Sequence, residues 1–244
     1  GRIEAQAANS LRVSRGNVLD TAAIDITRDV SSMFFDGDFL GDVNIGSSRG
    51  IFMVRGNLGP DASFVSRDDV GGVMVFGNVS AQAPMMIHGD ARMANFMGDF
   101  AGQFATYGDV STVISRGING GMILVGQSTN SAVVIGDMNN AVLSTGVWVG
   151  ADGVYNTADD RIFGGYLRNA VVTGDYTNSA VVAGVLPHLD HGAGVPASNL
   201  AYTGDAAGAT LLDQDSAEAG GLMDSFIGNF TVSGQVNSTG DWSV

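Results

Sequence analysis

Three carboxylates, a hydroxyl and an amide fall within nine residues of this chain, as Asp152, Asn156, Thr157, Asp159 and Asp160. Gly153, directly after the first Asp, permits a tight reversal. Such a set of hard oxygen donors suits Ca²⁺, which takes six to eight oxygens. A bound Ca²⁺ would also remove the repulsion between Asp159 and Asp160. The spacing is not that of an EF-hand, because Gly follows the first Asp directly and no Glu closes the loop. The plainer alternative is a solvated acidic turn whose Asp side chains cap only their own backbone. A second cluster, His188, Asp190 and His191, has a spacing that could bring two imidazoles to one cation, or is simply a polar loop beside Pro187. His88, after Met85-Met86-Ile87 and before Gly89, reads as a corner or strand-face histidine rather than a catalytic base.

The rest of the composition narrows what such groups can do. The 244 residues carry 36 glycines, 25 Asp plus Glu, 11 basic residues that are all Arg, no Lys and no Cys. Only Glu4 and Glu218 are Glu. Helices draw on Glu, Lys and Leu for their solvent faces, so the chain lacks the material for many of them. Without Lys there is no Schiff base and no P-loop lysine. Without Cys there is no thiol nucleophile, disulfide framework or thiolate metal site. A net charge of −14 opposes phosphate backbones and anionic lipid, which excludes nucleic acid and membrane surfaces as partners. No apolar run is long enough for a spanning helix. The opening Gly1-Arg2-Ile3-Glu4 is neither an initiator Met nor a signal peptide, and reads as the start of a processed or excised piece. An Asp-rich surface without Cys or Lys suits an extracellular, calcium-containing medium.

The elements that must position these residues are set by a repeat. Gly-Asp or Gly-Asn occurs thirteen times, commonly after a short apolar word, as in Met85-Met86-Ile87-His88-Gly89-Asp90 and Val133-Val134-Ile135-Gly136-Asp137. Residues 130–146 can be laid on 168–184 so that Gly136-Asp137 falls on Gly174-Asp175, Asn140 on Asn178 and Gly146 on Gly184. A strand and turn take about ten residues, and two make a coil of about 19 or 20. The expected fold is all-β: a parallel β-helix, or β-solenoid, whose coils stack about 4.8 Å apart with every strand paired to its copies above and below. In this reading Gly supplies backbone freedom at each corner, while Asp or Asn tolerates left-handed conformations and caps its own turn. An antiparallel sandwich or barrel is the rival, but hairpin strands should be longer and alternate more clearly.

One domain, 1–244, is expected, with regular coils over about 10–205. Insertions at 148–163 and 186–199 both follow a Gly-Val pair, Gly146-Val147 and Gly184-Val185, and are expected to leave the same corner of successive coils. Residues 206–244 read as an irregular cover followed by returning strands. Insertions of this kind collect on one face of a solenoid, which is often the binding face.

The Gly-Asp units, with the excursion Gly146-Val147-Trp148-Val149-Gly150-Ala151-Asp152-Gly153…Thr157-Ala158-Asp159-Asp160, resemble repeats of very large secreted bacterial surface proteins of the β-solenoid type. That resemblance implies an exported structural or adhesive role rather than an enzyme activity. One departure is Asn156, where the family's loop carries Gly before the Thr. Both ends of the chain read as repeat-like β without a capping element, so assembly with further copies, or with adjoining segments of a longer chain, is expected through the solenoid ends. A filament or surface layer, extracellular and calcium-stabilised, is the function expected. The alternative is a polysaccharide-binding or polysaccharide-cleaving β-helix. Its catalytic form is weakly supported, since Ala158 interrupts the Asn-Thr-Asp spacing that such hydrolases carry and Arg55, Arg67, Arg92 and Arg116 read as solvated or paired face residues. Trp148, Tyr155 and Tyr166 would be either sugar-stacking platforms or loop packing, with packing favoured.

Overall fold

In the computed structural model, residues 1–150, 160–184 and 225–237 are described, and they form a parallel β-solenoid of about seven turns with no helix among them. Equivalent positions advance from 23 to 42, 63, 84, 103, 122 and 142, in steps of 19 to 21 residues, as the repeat requires. Across the first insertion Val142 pairs with Ala180, and across the second Tyr166 pairs with Phe226.

Each coil has three sides. The first face stacks the segments at 23–26, 42–45, 63–66, 84–87, 103–106, 122–125, 142–145 and 180–183. The second face stacks 30–35, 48–54, 70–75, 91–96, 110–115, 129–134, 167–172 and 226–232. The third is narrow, a ladder of single bridges Val18, Phe39, Leu58, Val79 and Phe100 continued by Ile118, Met138, Tyr176 and Val236. In the early coils the first corner carries no Gly-Asp, and single strands, Ala23–Phe35 and Asp42–Val54, run across it onto both faces. Strands there are longer than the short apolar words suggest, and Ala91–Phe100 likewise runs through Gly98-Asp99 at the next corner.

The interior is filled by compensation between columns. One inward column reads Met33, Phe52, Val73, Ala94, Val113, Ala132; its neighbour reads Phe35, Val54, Val75, Phe96, Ser115, Val134. Phe52 lies beside Val54, and Ala94 beside Phe96, so in these coils a large side chain in one column accompanies a smaller one in the next. Phe52 stacks on Phe64 at 4.3 Å, and Phe96 lies 4.3 Å from Phe100. Two inward hydroxyls near corners are satisfied locally, since Ser66 donates to the Asp68 carbonyl at 2.8 Å and Ser115 to that of Gly117 at 2.9 Å, while those of Ser48, Thr129 and Thr145 are buried without a partner.

The Gly-Asp corners work differently from the sequence-based expectation. The Asx oxygen does not cap its own turn; it accepts from the backbone N–H of the equivalent residue one coil on. Asn17 Oδ1 accepts from Asp38, Asp38 from Asn57, Asn57 from Asn78, and Asn78 from Asp99, at 2.8–3.0 Å. Asp137 and Asp175 continue the same corner. The first corner holds a second ladder, in which Asp69 accepts from Asp90, Asp90 from Asp109, and Asp109 from Ser128, at 2.8–2.9 Å. Glycine precedes these residues because the side chain below fills the space a Cβ would need, as at Gly56 and Gly77. Backbone in the left-handed region is used at the third corner instead, where Gly120, Asn140 and Asn178 stack with φ of 75°, 46° and 46°.

Candidate functional site

The first insertion begins where Gly146 turns out of the first face at a φ of 80°, directly over Gly184, where the second insertion begins at 66°. Both insertions therefore leave the same corner of successive coils. They also rejoin together: Gly165 N donates to Ser225 Oγ, and Phe226 N to the Gly165 carbonyl. The base of the first insertion is a short antiparallel pair, Val147 with Ile162 and Trp148 with Arg161.

This base folds back over the outside of the first face. Trp148, Val149 and Phe163 pack on Met86, Ala105, Leu124 and Val142 in a second apolar cluster outside the solenoid core. The Trp148 ring lies edge-on to His88 at 5.0 Å and to Tyr107 at 5.6 Å. Trp148 is thus loop packing, as favoured. Tyr166 is 40% exposed and meets Phe226 at 5.5 Å; Tyr155 lies outside the described residues.

Of the expected calcium set, only Asp160 is described; it is buried at the foot of the insertion. Asp152, Asn156, Thr157 and Asp159 lie outside the described residues, as do His188, Asp190 and His191. Among the described residues no three His, Asp or Glu side chains converge as metal ligands. His88 sits at the corner after 84–87, and its pKa is lowered by desolvation. Among the named arginines, Arg55 is paired with Asp36, 3.3 Å away.

Three surface features stand out on the described solenoid. The first is a shallow groove along the corner between first and second faces. Its middle, about 610 Å³, is lined by Asp69, Asp90 and Asp109 opposite Arg49 and Arg92. From Asp109 it continues into a space of about 440 Å³ lined by Ser128, Asn130, Arg168, Tyr166 and Phe226. The register places Asp69, Asp90, Asp109, Ser128, Tyr166 and Phe226 in one column, so the Asx ladder ends on the aromatic pair. The column was hidden in the sequence because the first insertion separates Ser128 from Tyr166.

The second feature is the pair of terminal coils. Ile3 occupies the inward column of Ile24 but is 43% exposed, against 3% for Ile24. Phe230 occupies the inward column of Ala170 and is 42% exposed, against 1%. The third feature is the outside of the second face, whose central outward column reads Phe34, Met53, Met74, Asn95, Ile114, Val133 and Val171. No helix among the described residues is long and apolar enough to cross a membrane. No family model, curated protein or solved structure matches the chain, so the fold and the surface carry the functional argument on their own.

Proposed function

We propose that the chain is a structural subunit of an extracellular filament or surface layer, joined end to end through its terminal coils. What supports the reading is the exposure of inward apolar side chains at both ends, Ile3 and Phe230, in columns that are closed elsewhere. A parallel solenoid coil offers its whole ring of N–H and C=O groups along the axis, and a further coil satisfies them by strand addition. That coil belongs to the next copy or to an adjoining segment of a longer chain. The resemblance of the Gly-Asp units to secreted bacterial surface repeats favours the same setting. Calcium at the 152–160 loop is part of the proposal, with Asp160 as its buried ligand.

Electron microscopy of the concentrated chain tests this. Filaments one solenoid wide are expected, with Ile3→Glu and Phe230→Glu each stopping their growth. Compact monomers throughout would overturn it. Chelation by EDTA should lower the melting temperature of the wild type and not that of Asp160→Asn; equal loss in both removes calcium from that loop.

A second reading, a polysaccharide-binding solenoid, is favoured by the groove of carboxylates and arginines that ends on Tyr166 and Phe226. Retardation of the chain in polysaccharide-containing gels, abolished by Tyr166→Ala with Phe226→Ala, would support it; unretarded migration in every polysaccharide tried would remove it.

A further inference from the structure

The two broad faces of the solenoid differ on their outer sides. On the first face the central outward column reads Glu4, Asp25, Asn44, Val65, Met86, Ala105 and Leu124. It is polar over the first three coils, where Asn44 Nδ2 donates to Asp25 Oδ1 at 3.2 Å. It turns apolar where Trp148, Val149 and Phe163 cover it. On this face the apolar part of the outward column is the covered part, as the cost of leaving such area in water requires.

The second face departs from polar character much earlier. Its central column is polar only in the terminal coils, at Arg12 and Thr231, and between them only Asn95 interrupts the run from Phe34 to Val171. The next outward column is mixed: Phe76, Met97 and Ile135, which are 46%, 37% and 53% exposed, share it with Asp36, Arg55 and Arg116. No described residue packs over these side chains in a second cluster like the one on the first face. Patches of this size on a soluble surface mark interaction sites.

We propose that this face is the contact between two copies of the chain, packed sheet against sheet about a two-fold axis near Asn95. Three observations favour a second copy as the occupant. The face is about 30 Å long, from six coil steps of about 4.8 Å, and about 20 Å wide across its three outward columns, apolar at the centre and mixed at the sides, so a pair buries about 1,200 Å², which reaches the lower bound for a stable specific interface. Its side chains repeat at the coil spacing, and a surface with the same spacing, which a second copy has, interdigitates with it along its whole length. Asn95 stands in the middle of the apolar run, and its Oδ1 is buried without a hydrogen-bond partner. With its amide turned outward, Asn95 of each copy supplies the other with both a donor and an acceptor across the axis and fixes the register, as a lone Asn does in a coiled-coil seam. Along one margin, Arg49, Arg92 and Arg168 line the corner groove and are placed to meet acidic groups of the partner copy.

This inference stands apart from end-to-end growth, and the test separates them. The full chain carrying Ile3→Glu and Phe230→Glu, which block the ends and leave the face intact, is compared by sedimentation velocity with the same chain carrying Met74→Glu and Ile114→Glu as well. The first is expected to sediment as a dimer at micromolar concentration and the second as a monomer with the same β-sheet circular dichroism. Because the chain has no Cys, Asn95→Cys in the end-blocked chain provides a second readout. It should form a disulfide-linked dimer on mild oxidation, while Gln82→Cys, at an exposed turn between the third side and the first face, should not. A monomeric end-blocked chain, a dimer that survives the face substitutions, or an Asn95→Cys chain that stays reduced overturns the proposal. Absence of filaments in the wild type, with the dimer intact, would remove the end-to-end reading alone.

Discussion

Gly98 sits on Asn78 of the preceding coil: a Cβ added to Gly98 would lie 2.7 Å from the Asn78 Oδ1 that accepts the Asp99 N–H at 2.9 Å, and would also overlap the Gly77 carbonyl. The glycine and the coil below form one device, in which the Gly77 carbonyl and the Asn78 side chain together occupy the place of the missing β-carbon. Gly117, one coil further on, is the exception. A register shift between Ser115 and Gly117 opens the corner, and the nearest atom to its Cβ position is 3.5 Å away. Gly98→Ala is therefore expected to cost about 1–3 kcal/mol by overpacking against fixed backbone, while Gly117→Ala should stay within about 0.5 kcal/mol of wild type. Urea denaturation of both variants checks this, and equal effects would show that the corner is not closed by the Asx side chain.

The two Asx ladders differ in charge. At one corner Asn57 and Asn78 separate Asp38 from Asp99, whereas Asp69, Asp90 and Asp109 follow one another on successive coils. Carboxylates stacked about 5 Å apart repel through exposed solvent, and salt screens that repulsion. Asp90→Asn keeps the Oδ1 acceptor and removes the central charge, so it should stabilise the chain slightly at low salt and be neutral at high salt. Asp90→Ala removes the acceptor for Asp109 N–H as well and should cost about 1 kcal/mol, the usual value of such a hydrogen bond. Melting temperatures of both variants across a salt series distinguish the charge from the hydrogen bond.

His88 gives the chain a pH dependence of definite sign. Desolvation lowers its pKa below 6.5, so the folded state disfavours the imidazolium more than the unfolded state does. The contribution is fully present above pH 6.5 and is lost as pH falls through the lowered value. Because the ring lies 5.0 Å from Trp148, its protonation should also quench the indole fluorescence. A fluorescence titration of the native chain should show a step below pH 6.5 that His88→Gln abolishes; a step at or above 6.5 would contradict the direction.

Much of this fold is legible from the residues. Gly136-Asp137 over Gly174-Asp175 reveals the stacking because both corners need the same small residue and the same acceptor, and the registers of Met138 with Tyr176 and of Val142 with Ala180 bear it out. The stacked bases of the two insertions were also readable from Gly146-Val147 and Gly184-Val185. The corner mechanism was not, since a glycine required by a neighbour in the next coil looks the same in sequence as one required by its own φ. The outward columns were illegible for a related reason. Met53, Met74 and Ile114 lie 21 or more residues apart, and whether each faces in or out depends on bulges such as the one between Ser48 and Ile51. Of the candidate calcium residues, Asp160 alone can be placed, and its burial could not be read from an acidic loop.

The hairpin at Val147, Trp148, Arg161 and Ile162 also bears on how the solenoid holds together. Stacked coils contact only their neighbours, so stability is a sum of nearest-neighbour terms and the stack can open at any one interface. Trp148, Val149 and Phe163 cross that pattern, because the residues they cover, Met86, Ala105, Leu124 and Val142, belong to four successive coils. The hairpin thus ties three coil interfaces together from outside. Trp148→Ala removes the largest side chain of the clamp, itself only 5% exposed, and should cost about 3 kcal/mol by the usual scale for a buried aromatic. The loss should be more than local: with the clamp gone the coils on either side uncouple, and the denaturation curve should broaden as well as move to lower urea. Phe34→Ala, half-buried on the second face away from the clamp, should shift the midpoint less and leave the slope unchanged. An unchanged slope in Trp148→Ala would show that the coils are coupled through their ladders alone.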